Sequence, residues 1–386
     1  MAQPQKYLLF ILLSMTTSLV YSSSSQSASH GGGVKAAYWP SYTVSYSPPS
    51  SINAALFTHI FYAFANLNDQ TFQVELPATA KPAEFTLTLR KKNPFLKTLI
   101  SIGGGGSNST AFALMASNAF RRKVFINSAI TLARKYGFHG LDLDWEFPKD
   151  ATEMRNLGSL FAEWRHAIEL EARAWPRRPR LLLTAAVYFA QYFLLAADKR
   201  AYPATSITQN LDWVNVMCFD YHGSWDTSAT GAHAALYDPS SNISNSFGIG
   251  SWLHSGVPTN KVVMGMPLYG RSWILKSLDE TGIGAPAIAA GPKQTLSSET
   301  GVMFFSEIID FISQKNATEV FDKETVSAYA YSSDMMWVGY DNKQSVAAKV
   351  SFAKNKHLLG YFFWAISQDS NWMLSAQASV SWNQAR

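Results

Sequence analysis

The 386-residue sequence contains a single cysteine, Cys218. One thiol cannot form an intrachain disulfide, and it excludes a zinc site built from paired thiolates. Because Cys218 lies within the apolar stretch Trp213 to Phe219, we expect a buried structural thiol rather than a nucleophile. The fold must therefore be stabilised by its hydrophobic core.

The sequence is also poor in charge, with 15% charged residues against 47% hydrophobic ones. This balance excludes intrinsic disorder for most of the chain. Lys and Arg number 32 and Asp and Glu 27, a net charge of +5, and no run of basic residues concentrates the excess. We therefore expect no nucleic-acid partner.

No apolar segment reaches the roughly 20 residues that span a bilayer. The longest N-terminal one, Tyr7 to Val20, follows Lys6 and precedes a Ser-rich segment, the layout of a secretory signal peptide. We predict a signal peptide over residues 1–25, cleaved approximately there, and a flexible leader over residues 26–33. The mature protein is then expected to be extracellular, with the vacuole as an alternative, and free of the membrane. Sequons compatible with that route occur at Asn108, Asn242 and Asn316.

Short runs rich in Val, Ile, Leu, Phe and Tyr alternate with longer segments, which is typical of βα units around a parallel sheet. Eight runs predict the eight strands of a (β/α)8 TIM barrel over residues 34–386. They are Lys35 to Trp39, His59 to Asn66, Thr98 to Ile102, Gly140 to Trp145, Leu181 to Val187, Trp213 to Phe219, Lys261 to Pro267, and Leu359 to Trp364.

Helical periodicity is clearest over Asn118 to Tyr136 and Thr152 to Trp175, whereas the stretch after Trp39 shows none. More than ninety residues separate the seventh and eighth runs, far more than one crossover helix needs. We therefore predict a small α+β insertion at about residues 271–340.

The segment from His139 to Glu146 reads HGLDLDWE. Since side chains alternate faces along a strand, Asp142, Asp144 and Glu146 share one face and the apolar residues take the other. The apolar face can pack against the helices, so the acidic row should point into the barrel, towards the mouth where barrel enzymes place their chemistry. Three carboxylates this close should retain at least one proton at neutral pH, and Glu146, nearest the mouth, is the candidate general acid.

Two other interpretations of the row remain open at this point. An exposed acidic strand would also carry alternating acids, and a divalent cation would also favour clustered carboxylates, although the usual spread of oxygen ligands is missing nearby.

The acidic row and the element from Ser101 to Gly104, SIGG, resemble the D-x-x-D-x-D-x-E and S-x-G-G signatures of glycoside hydrolase family 18. The similarity extends from Val34 to the C-terminus. Within that family the chain is most similar to plant class V chitinases and to their legume relatives, which include Nod factor hydrolases and a chitinase-related agglutinin.

The resemblance implies retaining hydrolysis of β-1,4-linked N-acetylglucosamine polymers, in which the acetamido oxygen of the substrate is the nucleophile. Glu146 would protonate the leaving oxygen and later activate water, Asp144 would orient the acetamide and stabilise the oxazolinium ion, and Asp142 would hold Asp144. The resemblance implies no metal and no organic cofactor.

Further positions match the family site and are expected to contact the sugar. Asp220 should reach the acetamido group or Glu146, Tyr269 should line the cleft, and Trp364 should stack under the sugar at the cleavage point. The remaining predicted substrate-binding residues are Gly104, Phe147, Met217 and Phe219.

Two residues depart from the family pattern. His139 replaces the first Asp of the signature, but it is out of phase with the acidic row, so we expect a structural effect at most. Phe219 replaces a tyrosine whose hydroxyl donates to the acetamido carbonyl, and losing one such donor costs on the order of 10² in rate. Activity is then reduced unless Tyr221 or Tyr269 compensates.

The sequence thus predicts a secreted endo-acting chitinase, monomeric, whose partners are chitin or N-acetylglucosamine oligosaccharides and, as a further substrate class, Nod factors. The main alternative is a chitinase-related lectin with weak or no hydrolysis, which Phe219 favours. An inhibitor of other glycosidases would need none of the acids. Five tryptophans are packing residues individually but together indicate an extended cleft, namely Trp39, Trp225, Trp273, Trp337 and Trp372.

Overall fold

The computed structural model describes residues 32–194 and 200–384. The predicted signal peptide, residues 1–25, and residues 26–31 of the predicted leader lie outside these ranges. Both therefore stay predictions from the sequence.

The described chain contains fifteen strands and nine α-helices. The strands are β1 (Val34–Pro40), β2 (His59–Leu67), β3 (Val74–Glu75), β4 (Lys97–Gly103), β5 (Gly140–Asp144), β6 (Leu182–Tyr188), β7 (Trp213–Met217), β8 (Val262–Pro267), β9 (Tyr269–Leu275), β10 (Ala287–Ala290), β11 (Val302–Phe304), β12 (Thr318–Asp322), β13 (Ser327–Tyr331), β14 (Met336–Tyr340) and β15 (Gly360–Trp364). The helices are α1 (Pro82–Lys92), α2 (Ser109–Ala116), α3 (Ala119–Tyr136), α4 (Ala151–Ala174), α5 (Ala204–Asn210), α6 (Asn245–His254), α7 (Phe305–Lys315), α8 (Lys343–Asn355) and α9 (Met373–Asn383).

Eight of the strands are parallel and close into a barrel in the order β1, β15, β8, β7, β6, β5, β4, β2, with β2 pairing back to β1. All eight predicted runs coincide with these strands to within two residues at either end, so the predicted (β/α)8 barrel is confirmed. The register places Ser101 beside Asp142 and Asp142 beside Thr184. Three neighbouring strands therefore present polar side chains at one level inside the barrel.

The helices begin and end where local chemistry favours it. Asn118 caps α3 by accepting hydrogen bonds from the backbone N–H groups of Phe120 and Arg121, and Gly137 ends that helix in the left-handed region at φ 71°. Asp150 caps α4 in the same way. Between β1 and β2 the structure has only short 3-10 turns, in agreement with the missing helical periodicity after Trp39.

A second, antiparallel sheet lies between β8 and β15, in the order β10, β9, β14, β13, β12, with β11 also paired to β9. This part of the chain begins at Tyr269, its last strand ends at Tyr340, and it also contains helix α7. The predicted α+β insertion between the seventh and eighth barrel strands is confirmed.

Within the described ranges, none of the helices combines the length and apolar character needed to cross a membrane.

Candidate active site

The acidic row of β5 points into the barrel, as the alternation predicts. The side chains of Asp142 and Asp144 are buried, while Leu141, Leu143 and Trp145 on the other face are 0%, 1% and 2% exposed and belong to the core between the strands and the helices. An exposed acidic strand is therefore excluded.

Glu146 follows the end of β5 and lines a cleft of about 740 Å³. Most of the other lining residues lie at or just beyond the C-terminal ends of barrel strands, which is the end at which TIM barrels carry their active sites. The lining includes Tyr38, Tyr42, Phe64, Gly103, Gly105, Asp144, Glu146, Phe147, Tyr188, Phe189, Met217, Phe219, Asp220, Tyr221, Phe362 and Trp364.

Asp142 is held by hydroxyl and amide donors from four other strands. Its oxygens accept hydrogen bonds from Tyr38 at 2.9 Å, Ser101 at 2.7 Å, Thr184 at 2.6 Å and Asn215 at 3.5 Å. Burial raises the pKa of Asp142, and these four donors lower it in part. The carboxylate is therefore fixed in position and already has its lone pairs occupied.

Asp144 lies between Asp142 and Glu146. Burial raises its pKa well above the usual range, and the negative charges of Glu146 and Asp142 raise it further. Its Oδ1 atom is buried and has no hydrogen-bond partner among the described residues. A buried carboxyl oxygen without a donor favours the protonated acid, so Asp144 can hold a proton next to Glu146.

The pKa of Glu146 is raised to about 7, first by burial and second by the negative charge of Asp220. The sequence predicts a raised pKa for this residue, but it attributes part of the shift to neighbours in the row. The negative charge that raises the pKa of Glu146 instead belongs to Asp220, which follows β7. Glu146 can therefore hold its proton near neutrality, as a general acid must.

Asp220 is held ionised by its partners. Its Oδ1 atom accepts hydrogen bonds from Nε and Nη2 of Arg271 at 2.9 and 2.7 Å, and the Nδ1 atom of His233 lies 3.8 Å away. Burial opposes ionisation of Asp220, but the polar side chains of His233 and Tyr269 and the charge of Arg271 outweigh burial and lower the pKa of Asp220 to about 2. A permanent negative charge therefore faces Glu146.

The family model described as "Glycosyl hydrolases family 18" matches residues 34–369. The chain belongs to glycosyl hydrolase family 18. The resemblance seen in the sequence is thereby confirmed.

Two curated relatives are each 47% identical to the chain. The class V chitinase CHIT5 of Lotus japonicus matches over 353 residues, which are 91% of this chain and 86% of the relative. The Nod factor hydrolase protein 1 of Medicago truncatula matches over 356 residues, 90% of each protein.

Two solved structures have the same fold. The family 18 chitinase of Cycas revoluta, in complex with (GlcNAc)3, is 52% identical with a TM-score of 0.85, over 91% of this chain and all of that one. The chitinase-like agglutinin of Robinia pseudoacacia is 40% identical with a TM-score of 0.82, over the same shares. Both an enzyme and a lectin therefore share this family 18 fold.

Four of the predicted sugar-contacting side chains line the cleft besides Asp220, namely Phe147, Met217, Phe219 and Trp364. Trp364 is partly exposed at the end of β15, and its ring stacks on Phe64 with the centroids 5.6 Å apart. One face of the cleft is therefore an aromatic platform.

Two predicted residues lie outside the lining. The backbone N–H of Gly104 donates to the carbonyl of Asp144 at 2.8 Å, and its φ of 91° and the Phe64 ring, 2.5 Å from where a Cβ would stand, leave room only for glycine. Tyr269 is 5% exposed and lies behind the cleft wall, in contact with Phe219 and Asp220. Both residues therefore support the site from behind.

Phe219 lacks the tyrosine hydroxyl of the family pattern, and no nearby hydroxyl among the described residues is placed to replace it. The hydroxyl of Tyr221 forms a hydrogen bond with the side chain of Asn245 at 2.8 Å, and the side chain of Tyr269 interacts with Asp220 behind the cleft wall. Because both are engaged, the structure favours a site that lacks the donor.

Several residues that hold the site were missed by the sequence reasoning. Tyr38, Thr184 and Asn215 support Asp142, and Arg271 and His233 support Asp220. For Thr184 and Asn215 a signal was present, since each is a polar residue in an otherwise apolar barrel strand.

The remaining expectations concern residues outside the cleft. The Nδ1 atom of His139 accepts a hydrogen bond from the backbone N–H of Thr98 at 3.0 Å at the opposite end of the barrel. Burial raises the pKa of the Cys218 thiol to about 12, as expected of a structural residue.

None of the five tryptophans is in the lining of the cleft. Trp39, Trp273 and Trp337 are buried, Trp372 is partly buried, and Trp225 is exposed over Arg271.

Among the residues that the structure describes, no group of three His, Cys, Asp or Glu side chains is arranged to hold a metal ion.

Proposed function

We propose that the protein is a secreted chitinase that cleaves internal β-1,4 linkages of chitin and chito-oligosaccharides with retention of configuration. The observation that carries this proposal is the raised pKa of Glu146, about 7, in a cleft whose floor includes the aromatic side chain of Trp364. An acid that is protonated at neutral pH beside a sugar platform suits glycoside hydrolysis.

In the proposed reaction the substrate supplies the nucleophile. The acetamido carbonyl oxygen attacks the anomeric carbon while Glu146 passes its proton to the leaving glycosidic oxygen, and an oxazolinium ion forms. The Glu146 carboxylate then takes a proton from water, whose oxygen opens the ring at the anomeric carbon and restores the original configuration. Asp144 accepts a hydrogen bond from the acetamide N–H and so orients the carbonyl oxygen for attack. The four donors of Asp142 fix the Asp142 carboxylate on the same strand.

The substrate class is supported by the relatives, which include class V chitinases and a Nod factor hydrolase. Nod factors are substrates that we propose in addition to chitin, since they share its N-acetylglucosamine backbone. Secretion is proposed from the sequence of residues 1–25, and the three sequon side chains, Asn108, Asn242 and Asn316, are exposed.

The test is hydrolysis of chitin hexamer by the wild type and by Glu146→Gln, which keeps the shape and removes the acid. We expect the variant to lose roughly 10²- to 10⁴-fold in turnover. The exposed Glu324→Gln is the matched control and should not change the rate. Equal turnover in Glu146→Gln and the wild type would contradict the proposal.

A chitinase-related lectin is the second candidate function. Phe219 favours it, since the site lacks one hydroxyl donor for the transition state, and the Robinia agglutinin shows that a lectin can have this fold. Binding of the hexamer without products from the wild type would establish the lectin in place of the enzyme.

A further inference from the structure

A dense group of basic side chains lies at the end of the barrel opposite the cleft. In a βα barrel the strands begin and the helices end at this face. Helix α1 ends in Arg90, Lys91 and Lys92, and the next strand, β4, begins at Lys97. We call the basal face the set of Arg90, Lys91, Lys92, Lys97, Lys135, Arg173, Arg177 and Arg178.

Contacts between neighbouring helix ends make the basal face continuous. The hydroxyl of Thr86 in α1 donates to the carbonyl of Tyr136 at the end of α3 at 2.8 Å. Arg134 of α3 then donates to Glu171 of α4 at 2.6 Å and to the carbonyl of Pro179 at 3.0 Å. The ends of α1, α3 and α4 and the loop after α4 are thus joined into one surface.

The carboxylates near this surface are already neutralised by other arginines. Glu171 pairs with Arg134 at 2.6 Å, and Asp212 pairs with Arg165 at 2.8 Å and with Arg180 at 2.7 Å. Glu169 lies 3.8 Å from Arg165.

In contrast, none of the eight basal-face side chains has a carboxylate within 4 Å in the described part of the chain, and all eight residues are exposed. The eight positive charges of this face exceed the net charge of the whole protein, which is +5. Such a one-sided distribution attracts a polyanion.

Two exposed aromatic rings accompany the charges. Phe95, between Lys92 and Lys97, is 87% exposed, and Trp175 is 56% exposed with the guanidinium of Arg178 5.0 Å from its ring. Aromatic faces of this kind stack on sugar rings as well as on cations. Charge and aromatic rings are therefore available on the same surface.

We propose that the basal face binds an acidic polysaccharide whose negative charges are uronic acid carboxylates. The planar guanidinium groups of Arg173, Arg177 and Arg178 suit carboxylates, which they can engage with two parallel hydrogen bonds. Phe95 and Trp175 supply the stacking surface for the rings between those carboxylates. Because the face lies opposite the cleft, a bound polyuronate leaves the cleft open, and the two sites can be occupied together.

The test measures binding of polygalacturonate at low and moderate salt to the whole chain that follows the proposed signal peptide. A fully methyl-esterified sample of the same polymer is the matched ligand, since it keeps the sugar rings and removes the charges. We expect binding to the free acid alone, weakening steeply as salt rises. The double substitution Arg177→Glu with Arg178→Glu should weaken it by about tenfold or more.

The control pair Lys276→Glu with Lys343→Glu makes the same change in net charge at exposed positions away from the basal face. This control pair should leave the affinity for polygalacturonate within about twofold of the wild type, because only the long-range effect of the changed net charge remains. Both double variants should keep the thermal unfolding transition of the wild type, which shows that they fold.

Three results would overturn the proposal: no binding of the free acid, equal losses in the two double variants, or equal binding of the esterified polymer. Tighter binding to duplex DNA or to vesicles of phosphatidylserine than to polygalacturonate would also overturn it, because the partner would then carry phosphates. None of these outcomes depends on whether the cleft hydrolyses chitin, so the proposal and the proposed function fail separately.

Discussion

At the scale of single residues, Phe219 is the position at which this site differs most from the family pattern. It lines the cleft beside Asp220, and the hydroxyls of Tyr221 and Tyr269 are both engaged elsewhere. A site with one donor fewer should stabilise the reacting acetamido oxygen less well, so we propose that Phe219 sets the balance between hydrolysis of the sugar and binding without hydrolysis.

Restoring the hydroxyl should therefore accelerate the reaction. We expect Phe219→Tyr to raise the turnover of chitin hexamer by roughly tenfold or more, because a donor reaches the developing charge in the transition state. Initial rates measured by chromatography of the products check this. An unchanged rate would mean that another group already supplies the hydrogen bond.

The residues of the acidic row could be predicted from the sequence because a strand's alternation is a local property. The partners of those residues could not. Tyr38 reaches Asp142 across 104 positions and Arg271 reaches Asp220 across 51, and no local pattern reports contacts of that range. The sequence predicts a raised pKa for Glu146, yet the charge that raises it belongs to Asp220, which follows a different strand, β7.

At the scale of elements, the eight barrel strands can be predicted because most residues of a buried parallel strand are apolar. The order of the strands in the insertion was not predictable, since its short strands pair antiparallel across loops of unequal length. One buried ion pair joins the end of this insertion to the barrel: Lys349 of α8 contacts Asp341, just after β14, at 2.6 Å. The same ammonium group donates to the carbonyl of Ala234, in the loop after β7.

Breaking this pair should destabilise the whole fold. Lys349 and Asp341 are 0% and 1% exposed, so Asp341→Asn leaves a charged ammonium group buried without a counterion. We expect the free energy of unfolding to fall by about 3–5 kcal/mol, measured by denaturant titration.

The control is Asp334→Asn, which breaks the exposed pair between Lys315 and Asp334, 2.8 Å long. We expect it to cost less than about 1 kcal/mol. Equal losses in the two variants would show that burial of the Lys349 pair contributes nothing.

At the scale of the whole molecule, the closed barrel brings together charges that the sequence keeps far apart. The basic residues of the basal face occur in short, separate segments, so no single long run contains them, and the fold brings them together at one end. The acidic residues of the cleft lie at the other end, where Glu146 follows β5 and Asp220 follows β7. The two ends therefore hold separate groups of ionisable side chains and, in our account, bind different ligands.

The central claim is that Glu146 stays protonated near neutral pH because it is buried and faces the charge of Asp220. The most direct measurement is the pH dependence of kcat/KM on chitin hexamer for the wild type and for Asp220→Asn. The pKa of Glu146, about 7, predicts that wild-type activity falls as the pH rises through that value, since the acid is then lost. Removal of the negative charge at position 220 lowers the pKa of Glu146, so the fall should move to lower pH. Wild-type activity that persists undiminished into strongly alkaline solution, or a fall that moves to higher pH in Asp220→Asn, would contradict the account.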